Sequence, residues 1–295
     1  MASIKDLRKR IVSTKNTQQT TKAMKMVSAA KLRRSTDAIL SQRPYAKEIA
    51  RMMQTLAGLG VTATESVGAE KQAASICVVF SSDRGLCGGY NSNIIKGTIA
   101  FLQKKAAENK PVKLIFVGKK ANEAVKLRMK VDAFHYEEFG PKATFKKASD
   151  LSKLIKAPFV AGEADEIVFI YNKFINAISQ EVTTDVVLPL SNQASNENDS
   201  NADTAALADL IIFEPNKEAL YEQLSSKYFV TQVFKALLEA QASEHGARMS
   251  AMESATKNAG DMIKKLTIQY NKQRQAGITK ELLEIISGSE SQKAS

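Results

Sequence analysis

The residues Ser81-Ser82-Asp83-Arg84-Gly85-Leu86-Cys87-Gly88-Gly89-Tyr90-Asn91 offer the best candidate for chemistry in this sequence. They follow an apolar run, Ser75–Phe80, and precede a helical pattern. A glycine-rich turn in that position can bring a helix N-terminus up to a phosphate. Gly85, Gly88 and Gly89 would allow the backbone to approach a ligand closely. The spacing, however, is neither GxGxxG nor GxxxxGK[ST], and no acid is marked as a ribose partner. A tight strand-to-helix turn that needs positive φ at its glycines accounts for the same residues without a ligand. Cys87 could be a nucleophile at a helix N-terminus. It has no His near it in sequence, and a packed, inert thiol is the plainer reading. Asp83 and Arg84 could act as an acid–base pair, but an ion pair or a surface contact is the default reading. His135 and His245 each read as structural. Neither Glu137-Glu138 nor Glu281 with Glu284 assembles a carboxylate dyad, so no constellation for catalysis emerges.

Composition narrows the classes. The chain has 295 residues, a net charge of +11, 44% hydrophobic residues, two Cys, two His and no Trp. It is too apolar to be disordered. It has no run of about 20 apolar residues to span a membrane, and Met1-Ala2-Ser3-Ile4-Lys5-Asp6 has no signal-peptide core. The charge is concentrated. Residues 1–34 hold ten bases and one acid, whereas 35–216 balance to zero. A basic helix can bind nucleic acid. This one has no aromatic residue before Tyr45 for stacking, and its charges spread around the helix. An acidic protein surface is the better partner, and a solvated face is the bland alternative.

The elements that would position these groups fall into three segments. Residues 1–57 read as one long helix, capped by Ser3 with Asp6 and ended or kinked near Arg43 by Pro44. Its stretch from Thr14 to Lys22 is polar on every face, so it needs neighbours to hold it. Residues 72–213 alternate strands with helices: strands at 75–80, 112–117, 166–171 and 181–188, a short one at 210–213, and helices at 91–105, 119–129 and 145–160. That alternation predicts an α/β, Rossmann-like domain with a largely parallel sheet. Gly58–Gly68 reads as a linker and the Asn-rich Ser191–Ala206 as a loop. Residues 214–295 form a second long helix over about 216–287. Its small residues, Ser243, Ala247, Ala251, Ala255 and Ala259, suit tight antiparallel pairing with Ala23, Ser28, Ala29 and Ala30 of the first helix. Two long terminal helices around a neutral domain predict an antiparallel coiled coil, with a compact bundle as the alternative. Ile278, Leu282, Leu283, Ile285 and Ile286 leave an apolar tip that must fold back or enter another protein.

Three blocks carry a resemblance. The first runs from Ile4 through Thr17-Gln18-Gln19-Thr20-Thr21-Lys22-Ala23-Met24-Lys25-Met26-Val27 to Lys31-Leu32-Arg33-Arg34 and Arg43-Pro44-Tyr45. The second is Ser82–Asn91. The third joins Ser243-Glu244, Ala247-Arg248-Met249, Ala251-Met252, Tyr270-Asn271-Lys272 and Arg274-Gln275 to Ile278–Gly288. With these the sequence resembles the γ subunit of F-type ATP synthases, the rotating central stalk. It departs from the family pattern at Thr20, usually Ile, and at Ser289, usually Ala. The loop at 191–206 has no assignable counterpart, and there is no paired-cysteine insert of the chloroplast type.

The resemblance implies a non-catalytic shaft within a hexamer of α and β subunits. The α/β domain would lie near the ε subunit and the membrane c-ring, and no cofactor is implied. Met24 would lie in the coupling contact with β. Arg274 and Gln275 would engage a β catch loop, and Arg248, Thr279 and Glu281 match positions coupled to the Met24 region. Lys9, Lys22 and Lys25 are further candidates for acidic β loops, selected by charge alone. Leu282, Leu283, Ile285 and Ile286 would rest in an apolar sleeve. Met1 without a transit peptide leads to the expectation of a bacterial chain, on the cytoplasmic face of the inner membrane.

Overall fold

The structure, a computed structural model, describes residues 4–58, 74–129, 134–189, 214 and 216–293. The predicted strand at 210–213, the Asn-rich loop, Ser3 and all of the 58–68 linker except Gly58 lie outside them. The elements in order are α1 (Ile4–Gly58), β1 (Ala74–Phe80), α2 (Tyr90–Ala107), β2 (Val112–Val117), α3 (Lys119–Met129), β3 (His135–Glu137), α4 (Phe145–Val160), β4 (Ala164–Phe174), β5 (Gln180–Leu188) and α5 (Lys217–Lys293). No helix among the described residues is long and apolar enough to cross a membrane.

The chain separates into two compact units. One joins Met1–Ser28 to Met249–Ser295, and the other is Ala29–Arg248. Both divisions fall inside the long helices rather than in the loops.

Within Ala29–Arg248 lies a five-stranded sheet in the order β3-β2-β1-β4-β5. The first four strands are parallel and β5 runs antiparallel to β4. β1 is buried at every residue, as a continuous apolar run at the centre of a parallel sheet must be. At the edge, β5 buries only its last residues. Phe80, Phe116, Phe169 and the Ile side chains of β1, β2 and β4 fill the core. Strand order reverses between β1 and β4. The carboxyl ends of those strands therefore flank the crevice where open α/β sheets bind ligands.

α1 does not break at Pro44, contrary to the expectation of a kink or stop there. A proline ring deprives the carbonyl four residues earlier of its partner. That residue, Leu40, is exposed, as is Pro44, so the freed carbonyl meets water. The buried positions on either side keep one spacing, which packing holds through the proline. Leu7, Thr14, Thr21, Ser28, Ser35, Gln42, Ile49 and Leu56 recur every seven residues. Ile11, Gln18, Lys25, Leu32, Ile39, Ala46 and Met53 fall four after them, and every one of these is less than fully exposed. This is a heptad seam, with polar side chains at several core positions. At its C-terminal end Ile49, Met53 and Leu56 pack on Tyr221 and Tyr228 of α5.

Candidate functional site

The glycine turn forms where the sequence places it, after β1 and before α2. Gly88 adopts φ +57°, but Gly85 and Gly89 do not need positive φ; Leu86 takes it instead, at +64°. The expectation that all three glycines supply left-handed backbone is corrected to one. The turn is closed by its own side chains. Asn91 Nδ2 donates to Ser82 Oγ at 2.8 Å and to Cys87 Sγ at 3.2 Å, while Asn91 Oδ1 accepts from the Ser82 N–H at 3.2 Å. Burial pushes the Cys87 thiol up, and its contacts with Ser82 and Arg248 offset this only in part. A thiol that holds its proton is a poor nucleophile. Among the described residues Asp83 holds backbone N–H groups rather than an acid–base partner. Its carboxylate accepts the backbone N–H groups of Lys119, Phe139 and Gly140 at 3.2, 3.0 and 2.8 Å, tying α3 and the segment after β3 to the turn.

The crevice beside the turn is filled by α5. Tyr90 OH donates to Ala240 O at 3.1 Å, Asn172 Nδ2 to Tyr90 O at 3.3 Å, and Ser243 Oγ to Asn172 O at 2.8 Å. Ala247 joins the core cluster of Cys87, Tyr90 and Ile94. At Gly246 an added Cβ would come within 3.1 Å of Ala177 O. The small residues from 243 to 247 therefore let α5 approach the sheet. This corrects the expectation that they pair with α1. Ala23 and Ala30 are exposed as well.

Arg248 is also turned inward. Its Nη2 lies 2.6 Å from Glu244 Oε1, with only 16% and 12% of the two side chains exposed, and it donates to Gly85 O at 3.3 Å. Burial raises the Glu244 carboxyl more than Arg248 lowers it. His245, beside this pair, is held down to about 4, chiefly by burial and then by Arg248 and Lys31.

In the other unit α1 and α5 run antiparallel. The hydroxyls of Thr21 and Thr256 lie 2.8 Å apart, Gln18 Nε2 donates to Thr256 O at 3.5 Å, and Lys25 Nζ meets Glu253 Oε1 at 2.6 Å. The α5 seam is Met252, Thr256, Ala259, Ile263, Leu266, Tyr270, Gln273 and Gly277, again spaced by fours and threes. The polar 14–22 stretch is thus held by α5 through a polar seam. The 4-3 spacing of Thr14, Gln18 and Thr21 is the signal that a search for apolar residues overlooks. Lys25 is engaged with Glu253, although so exposed a pair contributes at most about 1 kcal/mol. Met24, Lys9 and Lys22 point away from the seam and are exposed, as are Arg274, Gln275, Thr279 and Glu281. Met24 and Thr279 are far apart. Glu253 marks the Met24 level on α5, and Thr279 stands roughly 39 Å farther along.

Gly277 lies alongside Ile4, its Cβ position 3.6 Å from Ile4 Cδ1. Beyond it α5 runs as a helix to Lys293 without folding back. Ile278, Leu282, Leu283, Ile285 and Ile286 are between 50% and 68% exposed. Ile278, Leu282, Ile285 and Ile286 share one face.

The family model described as ATP synthase matches residues 3–291. The ATP synthase gamma chain of Geotalea uraniireducens is 42% identical over 99% of this chain and all of that relative. That of Fuscovulum blasticum is 45% identical over 98% of this chain and 99% of its own. The chain belongs to the ATP synthase gamma-chain family. Its fold resembles a chain of the Euglena gracilis mitochondrial ATP synthase OSCP/F1/c-ring structure, with a TM-score of 0.71, 21% identity, and 99% and 95% of the two chains covered. A second likeness is to the central stalk/c-ring of the Tetrahymena thermophila mitochondrial ATP synthase, with a TM-score of 0.60 and 25% identity over 80% and 98%. For a gamma-chain family member, an α/β crevice filled by the chain's own helix is the informative feature. The place where open α/β sheets take a ligand is here occupied by residues 240–247 of α5.

Proposed function

We propose that the chain is the rotor shaft of a proton-translocating F-type ATP synthase and makes or breaks no bond itself. The observation that carries this reading is the α5 tip, a solvent-exposed apolar helix that runs past the last contact with α1. Such a surface is costly in water and calls for a protein sleeve. The α and β subunits would supply the sleeve, and the α/β unit would meet ε and the membrane c-ring. Below the tip the shaft is two helices side by side, each about 10 Å across, so its cross-section is not round. Turning an unsymmetrical section inside a ring of nucleotide sites presents a different face to each in turn. The basic residues of 1–34 would face acidic protein walls. The chain would sit on the cytoplasmic side of a bacterial inner membrane, held there only through the complex.

In this reading residues 1–57 and 214–295 form the shaft and 72–213 the globular part. Met24, Arg274, Gln275, Thr279 and Glu281 are the β contacts, with Lys9 and Lys22 as lesser ones. Met24 and Thr279 cannot touch, so any coupling between them is indirect. Arg248 would act indirectly, by fixing α5 to the glycine turn. The test is reconstitution. The purified chain should hydrolyse no ATP, yet restore ATPase when mixed with α and β subunits. Full activity of α and β without it would refute the role. Within the assembled complex, Met24→Lys should reduce proton-driven synthesis several-fold more than hydrolysis, since it puts a charge into a close contact. Equal loss of both activities would point to misfolding.

A further inference from the structure

Glu239, on α5 within Ala29–Arg248, is a buried acid that the shaft role does not use. It is 8% exposed, and among the described residues its Oε2 has no hydrogen-bond partner. Its carboxyl accepts the backbone N–H of Phe174 at the end of β4. On the strands it faces, Tyr171 of β4 donates to Asp185 Oδ2 of β5 at 2.7 Å, so this second carboxylate is already engaged. Lys235 on α5 and Lys173 on β4 bring positive charge, and Asp185 brings negative charge. An anion buried with an unmet oxygen is costly, whereas the neutral acid loses less on leaving water and its O–H can turn to a nearby acceptor.

We propose that Glu239 is a proton-binding site that governs how α5 seats on the β4–β5 hairpin. With the proton on, the helix is held against the strands. With it off, the buried negative charge, repelled by Asp185, loosens the seat. Burial is the largest influence on this carboxyl and raises its pKa, while Lys235 and Lys173 oppose it. The folded pKa therefore lies above the unfolded value. The stability this group contributes is full below the unfolded value and is lost as pH rises through the folded one. Tyr171 is pushed up by burial and by both carboxylates, so its phenol stays neutral throughout.

Urea unfolding of the full chain tests the site, with wild type and Glu239→Gln compared at about pH 4.5 and about pH 8. The two midpoints should nearly coincide at the lower pH. At the higher pH the Gln variant should unfold at higher urea, and its amides in 180–188 should exchange at least about threefold more slowly than wild type. A midpoint difference of the same size at both pH values overturns the proposal. Should Glu239→Gln fail to fold, ¹³C-carboxyl NMR of glutamate-labelled Glu244→Gln chain decides. This background removes the other glutamate among the described residues whose carboxyl is raised by desolvation. One signal titrating above the ordinary carboxylate range is expected, and its absence overturns the proposal.

Discussion

Replacing Arg248 with alanine should destabilise the chain by about 3 kcal/mol, because it strands a buried carboxylate without its partner. Glu244 lies 2.6 Å from the guanidinium and is slightly more buried than Arg248. The loss corresponds to a fall in Tm of roughly 6–10 °C. The pH dependence has a definite sign. Burial already raises the Glu244 carboxyl in the folded chain, and Arg248 opposes it. Without Arg248 the folded pKa moves farther above the unfolded one. Stability then drains away as pH rises between the two, so the deficit should be largest near neutral pH and shrink toward about pH 4.5. Adding Glu244→Gln to Arg248→Ala should recover about 1–2 kcal/mol at neutral pH, since a neutral amide is easier to leave unpaired. Thermal unfolding of the three variants at two pH values measures this. An Arg248→Ala chain that keeps full stability while the complex loses coupling would instead place this guanidinium at a partner's surface.

Gly118→Ala should be the most damaging single methyl addition among the described glycines. Gly118 follows β2 with φ +107°, and a Cβ there would stand 2.1 Å from Ser81 O and 2.6 Å from Ser81 C. Both are backbone atoms at the carboxyl end of β1, and neither can swing aside as a long side chain would. The Ser81 N–H donates to Val117 O at 2.8 Å, and Ser81 Oγ accepts the Ala121 N–H at 3.1 Å. Parting the two segments therefore disturbs both the sheet end and the start of α3. We expect a loss of at least about 3 kcal/mol. Gly162→Ala is the control. It also has positive φ, +76°, but no atom of the described residues lies within 4 Å of the added Cβ. It should cost only the left-handed backbone strain, about 1–2 kcal/mol. Thermal melts of the two variants separate clash from strain, and equal losses would rule out the clash.

Much of the chain was legible because single patterns carried it. An unbroken apolar run such as SICVVF fits the middle of a parallel sheet, and β1 occupies that place. Helices read at 119–129 and 145–160 from the strand–helix alternation matched residue for residue. The absence of Gly before Gly58 announced the first long helix, the absence of Pro after Pro215 announced the second, and the three sequence blocks announced the family. Pro44 misled because sequence shows a missing N–H but not that the abandoned carbonyl of Leu40 faces water.

What the sequence by itself determined was the kind and order of most elements, though not the short β3, together with the excess positive charge on residues 1–34 and the apolar character of the last turns of α5. Those properties are local: backbone preference and side-chain chemistry do not depend on what lies across the interface. Only the tertiary structure decided which neighbour each face meets. Small residues such as Ser243 and Ala247 permit close approach by anything, and they approach the sheet. Thr21 and Gln18 look unfit for a core until Thr256 stands opposite. A charge such as Arg248 has no address in the sequence. Its meaning came from a carboxylate one helical turn away and a carbonyl on a distant loop, brought together by the α5 helix filling the crevice of the sheet.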